Sequence, residues 1–265
     1  MTLVWSPGYG GAAVSDPDAQ AYLQAVEVAD NQALEQGVQQ AVNQFVIGCK
    51  ADGIWSAIKA SCVLAGARTL AGALVPLVGT APTNVGPFVS GDYNRKTGLV
   101  GDGSTKSLLS NRLGNSDPPN SQHMSVYVST RPTANQQAYI GDASQIGASY
   151  IFYNVSTTSI HSSSRTANQE EIVSASTHTG LVGINRSNSA NYDRRLSGST
   201  ASLNRTGYPG GNNPIYVFAL GYLDSPPFFH GNGRLAFYSI GESLDLALLD
   251  ARVTSLINAF AAAIP

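Results

Sequence analysis

The residues best suited to contact a ligand are a few aromatic and planar polar side chains in the second half of the chain. Tyr192 and Arg194 are two positions apart, so they share one face of an extended segment. Tyr208 and Asn212 follow in a glycine-rich loop. An aromatic ring can stack on a sugar while guanidinium and amide groups bond its hydroxyls. These four residues are therefore our candidates for glycan contacts, and packing of Tyr192 inside the fold or an interface is the alternative.

Patterns typical of catalysis or of a metal centre are missing. Serines are so frequent that a serine near a histidine carries no information, and no Gly-x-Ser-x-Gly elbow occurs. His-Glu-x-x-His and Cys-x-x-Cys are absent as well. We expect no catalytic residue, no metal and no cofactor. The histidines concerned are His123, His161, His178 and His230.

Composition limits the classes of partner. The formal net charge is −2, and charged residues are 12% of the chain, against about 25% in typical globular domains. We therefore expect no nucleic-acid partner. Ser, Thr, Asn, Gln and Gly must cover much of the surface, as in secreted or virion-surface β proteins. We expect neither a leader peptide nor membrane insertion, since no stretch approaches the ~20 apolar residues of a membrane span.

The N-terminal range 1–78 is predicted to be an arm followed by helices. Residues 1–15 contain Gly and Pro without periodicity, and Asp16-Pro17 is a typical helix start. Apolar residues at helical spacing predict three helices, the third running from Ile54 to near Pro76. These helices either cap the fold within one chain or form an anchoring and oligomerisation module. The stripe of the second helix is Leu34, Val38, Val42, Phe45 and Cys49.

The residue composition changes after Val78. Range 79–97 is rich in Gly, Pro, Thr and Asn and is predicted to be a linker or long loop. From 98 to 265, short extended runs alternate with turn residues, which predicts a mainly β fold, an antiparallel β-sandwich. A turn is expected at Leu196–Thr200. The strand at 235–240 leads into a closing helix with Ser243 as N-cap, and Leu249, Val253, Leu256 and Phe260 form its apolar stripe.

Several segments, in order, resemble the concanavalin A-like and laminin G-like jelly roll. Leu99–Leu108 is similar to that family's opening hairpin with its Asp-Gly turn, His123–Ser129 to its next long strand, and Ala190–Gly198 to a later strand and turn. Gly231–Gly241 resembles the last strand, followed by the closing helix from Leu244. The resemblance covers about residues 98–263 and implies a lectin-like sandwich.

Glycoside hydrolases of this fold use carboxylates alternating along one strand, Glu-x-Asp-x-Glu or close to it. The chain has no such run, and the neighbours Glu170 and Glu171 would point to opposite faces. We therefore expect a protein that is not an enzyme.

The resemblance allows calcium, but aspartates near turns also bond their own backbone, and we favour the second use. These aspartates are Asp92, Asp102, Asp117 and Asp142. Cys49 and Cys62 are predicted to be two small buried residues, with a single bridge as the alternative.

The combination also resembles tailed-phage structural proteins. Range 88–99 and the closing helix carry this likeness. It implies a tail fibre, spike or capsid decoration on a virion, made in the host cytoplasm, assembled with other virion proteins and with copies of itself, most simply as a trimer. The alternative function is an adhesin that binds a glycan of the host surface, and a polysaccharide-degrading enzyme is the third.

Overall fold

The computed structural model describes residues 13–167, 170–223 and 225–265. The arm predicted for residues 1–15 lies outside the described residues, apart from 13–15. The helices α1 to α4 are Pro17–Asp30, Gln36–Ala51, Leu70–Ala73 and Leu246–Ala263. The strands β1 to β18 are, in chain order, Ile58–Val63, Pro76–Val78, Thr83–Val85, Tyr93–Asn94, Gly98–Val100, Ser107–Leu113, Gln122–Thr130, Gln137–Asp142, Ala148–Asn154, Ser159–Thr166, Glu171–Ser174, Gly180–Arg186, Tyr192–Leu196, Ser199–Leu203, Pro214–Val217, Leu220–Tyr222, Ser225–Phe228 and Arg234–Gly241.

Two sheets, antiparallel except where β16 pairs with β8, face each other, which confirms the predicted β-sandwich. The helix-side sheet has the order β14-β13-β12-β7-β18-β1-β2, with β5 beside β18 and β4 beside β5. The outer sheet has the order β11-β10-β9-β8-β15-β6-β3, with β16 beside β8 and β17 beside β16. Apolar side chains from both sheets form one buried cluster between them. It includes Met124, Val126, Ile151, Tyr153, Ile215 and Tyr238.

Helices cover the other face of the helix-side sheet. The stripe of α4, from Leu249 to Phe260, is buried in one cluster with the stripe of α2 and with Phe237 of β18. The prediction for the closing helix is confirmed, and the apolar stripes of α1 and α2 pack within one chain. By length and composition α4 could also cross a membrane, but here its apolar side lies against the sheet and α2.

The start of α1 is as predicted. Asp16 caps the helix by accepting from the backbone N–H groups of Asp18 and Ala19, and Pro17 is its first residue. At α4 the prediction is wrong, because Asp245 rather than Ser243 is the N-cap, accepting from Ala247 and Leu248.

The prediction of a third helix from Ile54 to near Pro76 is also wrong. Residues Ile58–Val63 are strand β1, which pairs with β18 and β2 in the helix-side sheet. Helices cover one face of this strand and the outer sheet the other, so nearly every side chain is buried. A strand buried on both faces has no clean period of two, and the spacing of Ile58 and Cys62 then fits a helix equally well.

The segment Leu99–Leu108 is not a hairpin. Its first strand, β5, pairs with β18 in the helix-side sheet, whereas β6 pairs with β15 and β3 in the outer sheet. The Asp102-Gly103 turn between them crosses from one sheet to the other. The turn predicted at Leu196–Thr200 is confirmed as a two-residue hairpin connection: Ser197 and Gly198 have φ of 49° and 75°, as a type I′ turn requires.

Range 79–97 contributes the short strands β3 and β4, and Phe88 is buried between the sheets. The cysteines are free. Cys49 packs among the helices and Cys62 between the sheets, so the helix-side sheet lies between them. Burial raises the pKa of each thiol to about 12.

Candidate functional site

The structure places the four predicted glycan contacts in two different environments. Tyr192 is 1% exposed, and its hydroxyl donates to the carbonyl oxygen of Ser162 at 2.9 Å. Arg194 on the same strand is 7% exposed. The Tyr192 ring therefore packs between the sheets and offers no open face to a sugar, because the strand face that it shares with Arg194 is the inner one.

Tyr208 and Asn212 remain accessible. Tyr208 is 39% exposed, and its backbone N–H donates to the carbonyl of Arg165 at the end of β10. Asn212 is exposed in the same glycine-rich loop. Together they belong to the loops at one end of the sandwich.

That loop end is fixed from inside by Arg165. Its side chain is fully buried, and the guanidinium donates to the carbonyl oxygens of Gly114 (2.8 Å), Asp117 (2.9 Å) and Pro118. Carbonyl oxygens that could surround a cation are thus bonded to an arginine of the chain itself.

The four turn aspartates are likewise engaged by protein groups. Asp92 pairs with Lys106 and Asp117 with Arg112. Asp102 accepts from three successive backbone N–H groups of its own turn. Among the described residues, no group of three or more His, Cys, Asp or Glu side chains could hold a metal ion.

Asp142 is fully buried near Arg165. Its Oδ1 accepts from the N–H and hydroxyl of Ser144, while burial raises its pKa to about 6. His123 is buried on the other sheet, between the carbonyl of Glu242 (2.6 Å) and the hydroxyl of Ser239 (2.7 Å). Both groups therefore bond within the fold.

A different group of side chains lies on the open face of the outer sheet. Successive residues of β9 alternate between the core and this face, so Ile151 and Tyr153 are buried while Tyr150 and Phe152 point outward. On the neighbouring strand β10, His161 is the register partner of Phe152. We call the following five residues the outer-face patch: Tyr150, Phe152, His161, Glu170 and Phe229.

Aromatic rings form a continuous row across this patch. The Phe152 and His161 rings stack with centroids 4.4 Å apart, and Phe152 and Phe229 stack at 6.2 Å. Tyr150 adjoins Phe152 at 5.7 Å. The row ends at Phe229, which is 38% exposed. Its ring therefore presents apolar surface to solvent.

The backbone at Phe229 has a left-handed conformation, with φ of 53°. A bulky non-glycine residue seldom adopts this conformation, because it costs about 1–2 kcal/mol. The carbonyl of Phe229 accepts from the N–H of Ala138 in β8 at 2.8 Å, and its ring packs on Phe228 and Phe152. Surrounding contacts thus hold a strained residue whose side chain is partly exposed, which is typical of functional positions.

Glu170 supplies a carboxylate at the other end of the row. One oxygen lies 3.2 Å from the Tyr150 hydroxyl, which donates to it, and 3.1 Å from Nδ1 of His161. Burial, and then the neighbouring carboxylate, raises the pKa of Tyr150 well above its ordinary value, so its hydroxyl stays a neutral donor. The side chain of Glu170 remains 37% exposed. It can therefore accept further hydrogen bonds from a ligand.

Glu171, by contrast, pairs with Arg205 at 2.6 Å. The two neighbouring glutamates thus have different partners, and Glu170 lies in the patch without a second carboxylate alternating beside it on β11. The patch combines an apolar aromatic surface with a single carboxylate.

The sequence contained a partial signal for this patch. Tyr150-x-Phe152 alternates within the range where short strands were predicted, and Phe228-Phe229 is an aromatic pair beside a turn. The patch joins β9 and β10 with residues that precede β11 and follow β17, and only the register of the sheet shows that they meet.

No protein-family model matches the sequence, and no curated protein matches it. Solved structures with a similar fold include the following three. The chain is similar to the binding domain of botulinum neurotoxin serotype D (TM-score 0.48, 13% identity, 75% of this chain and 51% of that chain). It is also similar to domains LG4-5 of the mouse laminin alpha1 chain (0.38, 14%, 65% and 47%) and to the CBM40 of Ruminococcus gnavus IT-sialidase bound to α2,3 sialyllactose (0.39, 10%, 50% and 81%).

The match thus spans about half the length of the toxin domain. These structures share the mainly β sandwich architecture.

Proposed function

We propose that this chain is a non-enzymatic carbohydrate-binding domain and that the outer-face patch is its sugar site. The observation that carries the proposal is the row of aromatic rings that ends in the strained, exposed Phe229, together with the exposed carboxylate of Glu170. A sugar ring has apolar C–H faces and a rim of hydroxyl donors. The aromatic rings of the patch can pack on the C–H faces, and the Glu170 carboxylate can accept hydrogen bonds from the hydroxyls.

The surrounding sheet gives this site the rigidity that binding requires. Tyr150, Phe152 and His161 project from two strands in the body of the outer sheet, whose opposite face is packed in the core. Little conformational freedom remains to be lost when a ligand binds, which favours affinity.

Absence of catalysis is part of the proposal. Retaining and inverting glycosidases both need two carboxyl groups flanking the scissile bond. In the patch Glu170 contacts Tyr150 and His161, whereas Glu171 pairs with Arg205. We therefore expect bound oligosaccharide to be recovered intact.

The test is a screen of immobilised oligosaccharides with wild-type protein and two matched alanine variants. Phe229→Ala removes the exposed ring of the patch, and Tyr208→Ala removes a ring of nearly equal exposure, 38% against 39%, at the loop end. We expect Phe229→Ala to weaken binding roughly tenfold or more and Tyr208→Ala to leave it unchanged.

The reverse result would place the sugar at the loop end with Asn212 and show that the patch assignment is wrong. Failure of wild-type protein to bind any oligosaccharide would contradict the proposed function itself.

A second proposal concerns the setting. We propose display on the outside of a phage particle, as a tail fibre, spike or capsid decoration, because charged residues are only 12% of this chain. Mass spectrometry of purified particles that encode the chain would test it. Detection at stoichiometric copy number, most simply as a trimer, is expected, and absence from washed particles would contradict it.

A further inference from the structure

We infer that the outer-face patch selects neutral sugars and discriminates against sugars that carry a carboxylate or a sulfate. This inference rests on the proposed function and assigns the ligand class of the same site. It is carried by the charges that surround the exposed end of the patch and by the way each of them is bonded.

The patch holds one anionic group that faces solvent, the Glu170 carboxylate, with 37% of its side chain exposed. The Tyr150 hydroxyl donates to it at 3.2 Å, and Nδ1 of His161 lies 3.1 Å from the same oxygen. Among the described residues, no lysine or arginine forms an ion pair with this carboxylate.

The arginines of the neighbouring strands and loops point their hydrogen bonds at other groups. Arg205 pairs with Glu171 at 2.6 Å. Arg131 donates to the hydroxyl of Tyr153, whose ring is buried between the sheets. Neither arginine is an ion-pair partner of Glu170.

These charges set the sign of the discrimination. A neutral hydroxyl donates to Glu170 and gains a hydrogen bond strengthened by the charge of its acceptor. A carboxylate placed beside Glu170 is repelled by it, and the repulsion is stronger near a protein surface than in bulk water. We therefore expect an acidic sugar to bind roughly tenfold more weakly than its neutral counterpart.

The experiment uses ligand pairs that differ in the charge at one carbon. Galacto-oligosaccharides are compared with galacturonic acid oligomers, and N-acetylglucosamine oligomers with their 6-sulfated forms, by isothermal titration calorimetry at pH 7.5. The proteins are the full chain and Glu170→Gln, which keeps the shape of the side chain and an acceptor oxygen but removes the charge.

Wild-type protein should bind the neutral member of a pair at least tenfold more tightly, and Glu170→Gln should reduce that ratio to less than threefold. Added salt should weaken the discrimination, since a partly exposed charge is screened.

Tighter binding of the acidic member, or a ratio unchanged in Glu170→Gln, would overturn the inference while sugar binding itself still stood. If no member of any pair binds, the proposed function fails instead. The two failures are therefore distinguishable.

Discussion

His123 should make the fold sensitive to mild acid. Its ring is fully buried on β7. Because the Glu242 carbonyl can only accept a hydrogen bond, Nδ1 carries the proton, and Nε2 then accepts from the Ser239 hydroxyl. Both nitrogens are bonded with the ring neutral, and burial lowers the pKa of His123 from 6.5 to about 4.

The direction in which stability changes with pH follows from which state, folded or unfolded, binds the proton. Between pH 6.5 and pH 4 the unfolded chain protonates this histidine and the folded chain does not, so stability falls as the pH falls. The loss attributable to this one group is about 2 kcal/mol at pH 5 and about 3 kcal/mol at pH 4. It is nearly absent at pH 8.

His123→Gln is the matching perturbation. A glutamine amide can still donate to the Glu242 carbonyl and accept from Ser239, but it does not titrate. Urea unfolding of both proteins at half-unit steps from pH 4 to pH 8 gives the difference in unfolding free energy at each pH. Other titrating groups are common to both proteins and cancel in that difference.

The variant should gain about 3 kcal/mol relative to wild type between pH 8 and pH 4, most of it below pH 6.5. The absolute offset at pH 8 is not part of the prediction. Parallel stability curves for the two proteins would refute the reasoning, because they would mean that the buried ring titrates as it does in the unfolded chain.

Three further outcomes test other parts of the fold. Asp142→Asn should gain stability relative to wild type as the pH rises from 4 to 7, by about 2 kcal/mol, because the folded pKa of about 6 lies above 3.8 and the buried carboxylate is costly once ionised; parallel curves of unfolding free energy against pH for the two proteins would contradict it. Leu256→Asp should prevent folding, since it places a charge at a site that is 2% exposed, whereas Leu248→Asp, at 37% exposure on the same helix, should fold; circular dichroism melts distinguish them, and a folded Leu256→Asp would show that α4 is not a core element. Neither cysteine should react with a thiol reagent in the native state and both should react in denaturant, because they are free and buried; rapid labelling of the native protein would refute that placement.

The sequence was most informative where one face of an element is buried and the other is not. The alternation in β9 and the stripe of α4 follow directly from such one-sided burial. Strand β1 was missed because it is covered on both sides. Nearly all of its side chains are buried, so apolar residues also occur at helical spacing without indicating a helix. Local turn chemistry predicted Ser197-Gly198 correctly but could not tell that Asp102-Gly103 connects two sheets.

The candidate site illustrates a limit of a different kind. Alternation shows that Tyr192 and Arg194 share a face, but it does not say which face becomes the core, and the structure places both inside. The outer-face patch depends on the pairing of β9 with β10 and on the return of the chain at Phe229, contacts between residues far apart in sequence. Pairing register is a property of the whole sheet and is not encoded in any one segment.

The most direct test of the central claim is a nuclear magnetic resonance titration of isotope-labelled protein with a neutral oligosaccharide that binds in the screen. Binding at the outer-face patch predicts that the largest amide shifts fall on Tyr150, Phe152, His161 and Phe229, and that they disappear in Phe229→Ala. Shifts confined to the loop that holds Tyr208 and Asn212, or no shifts at any concentration, would contradict the account.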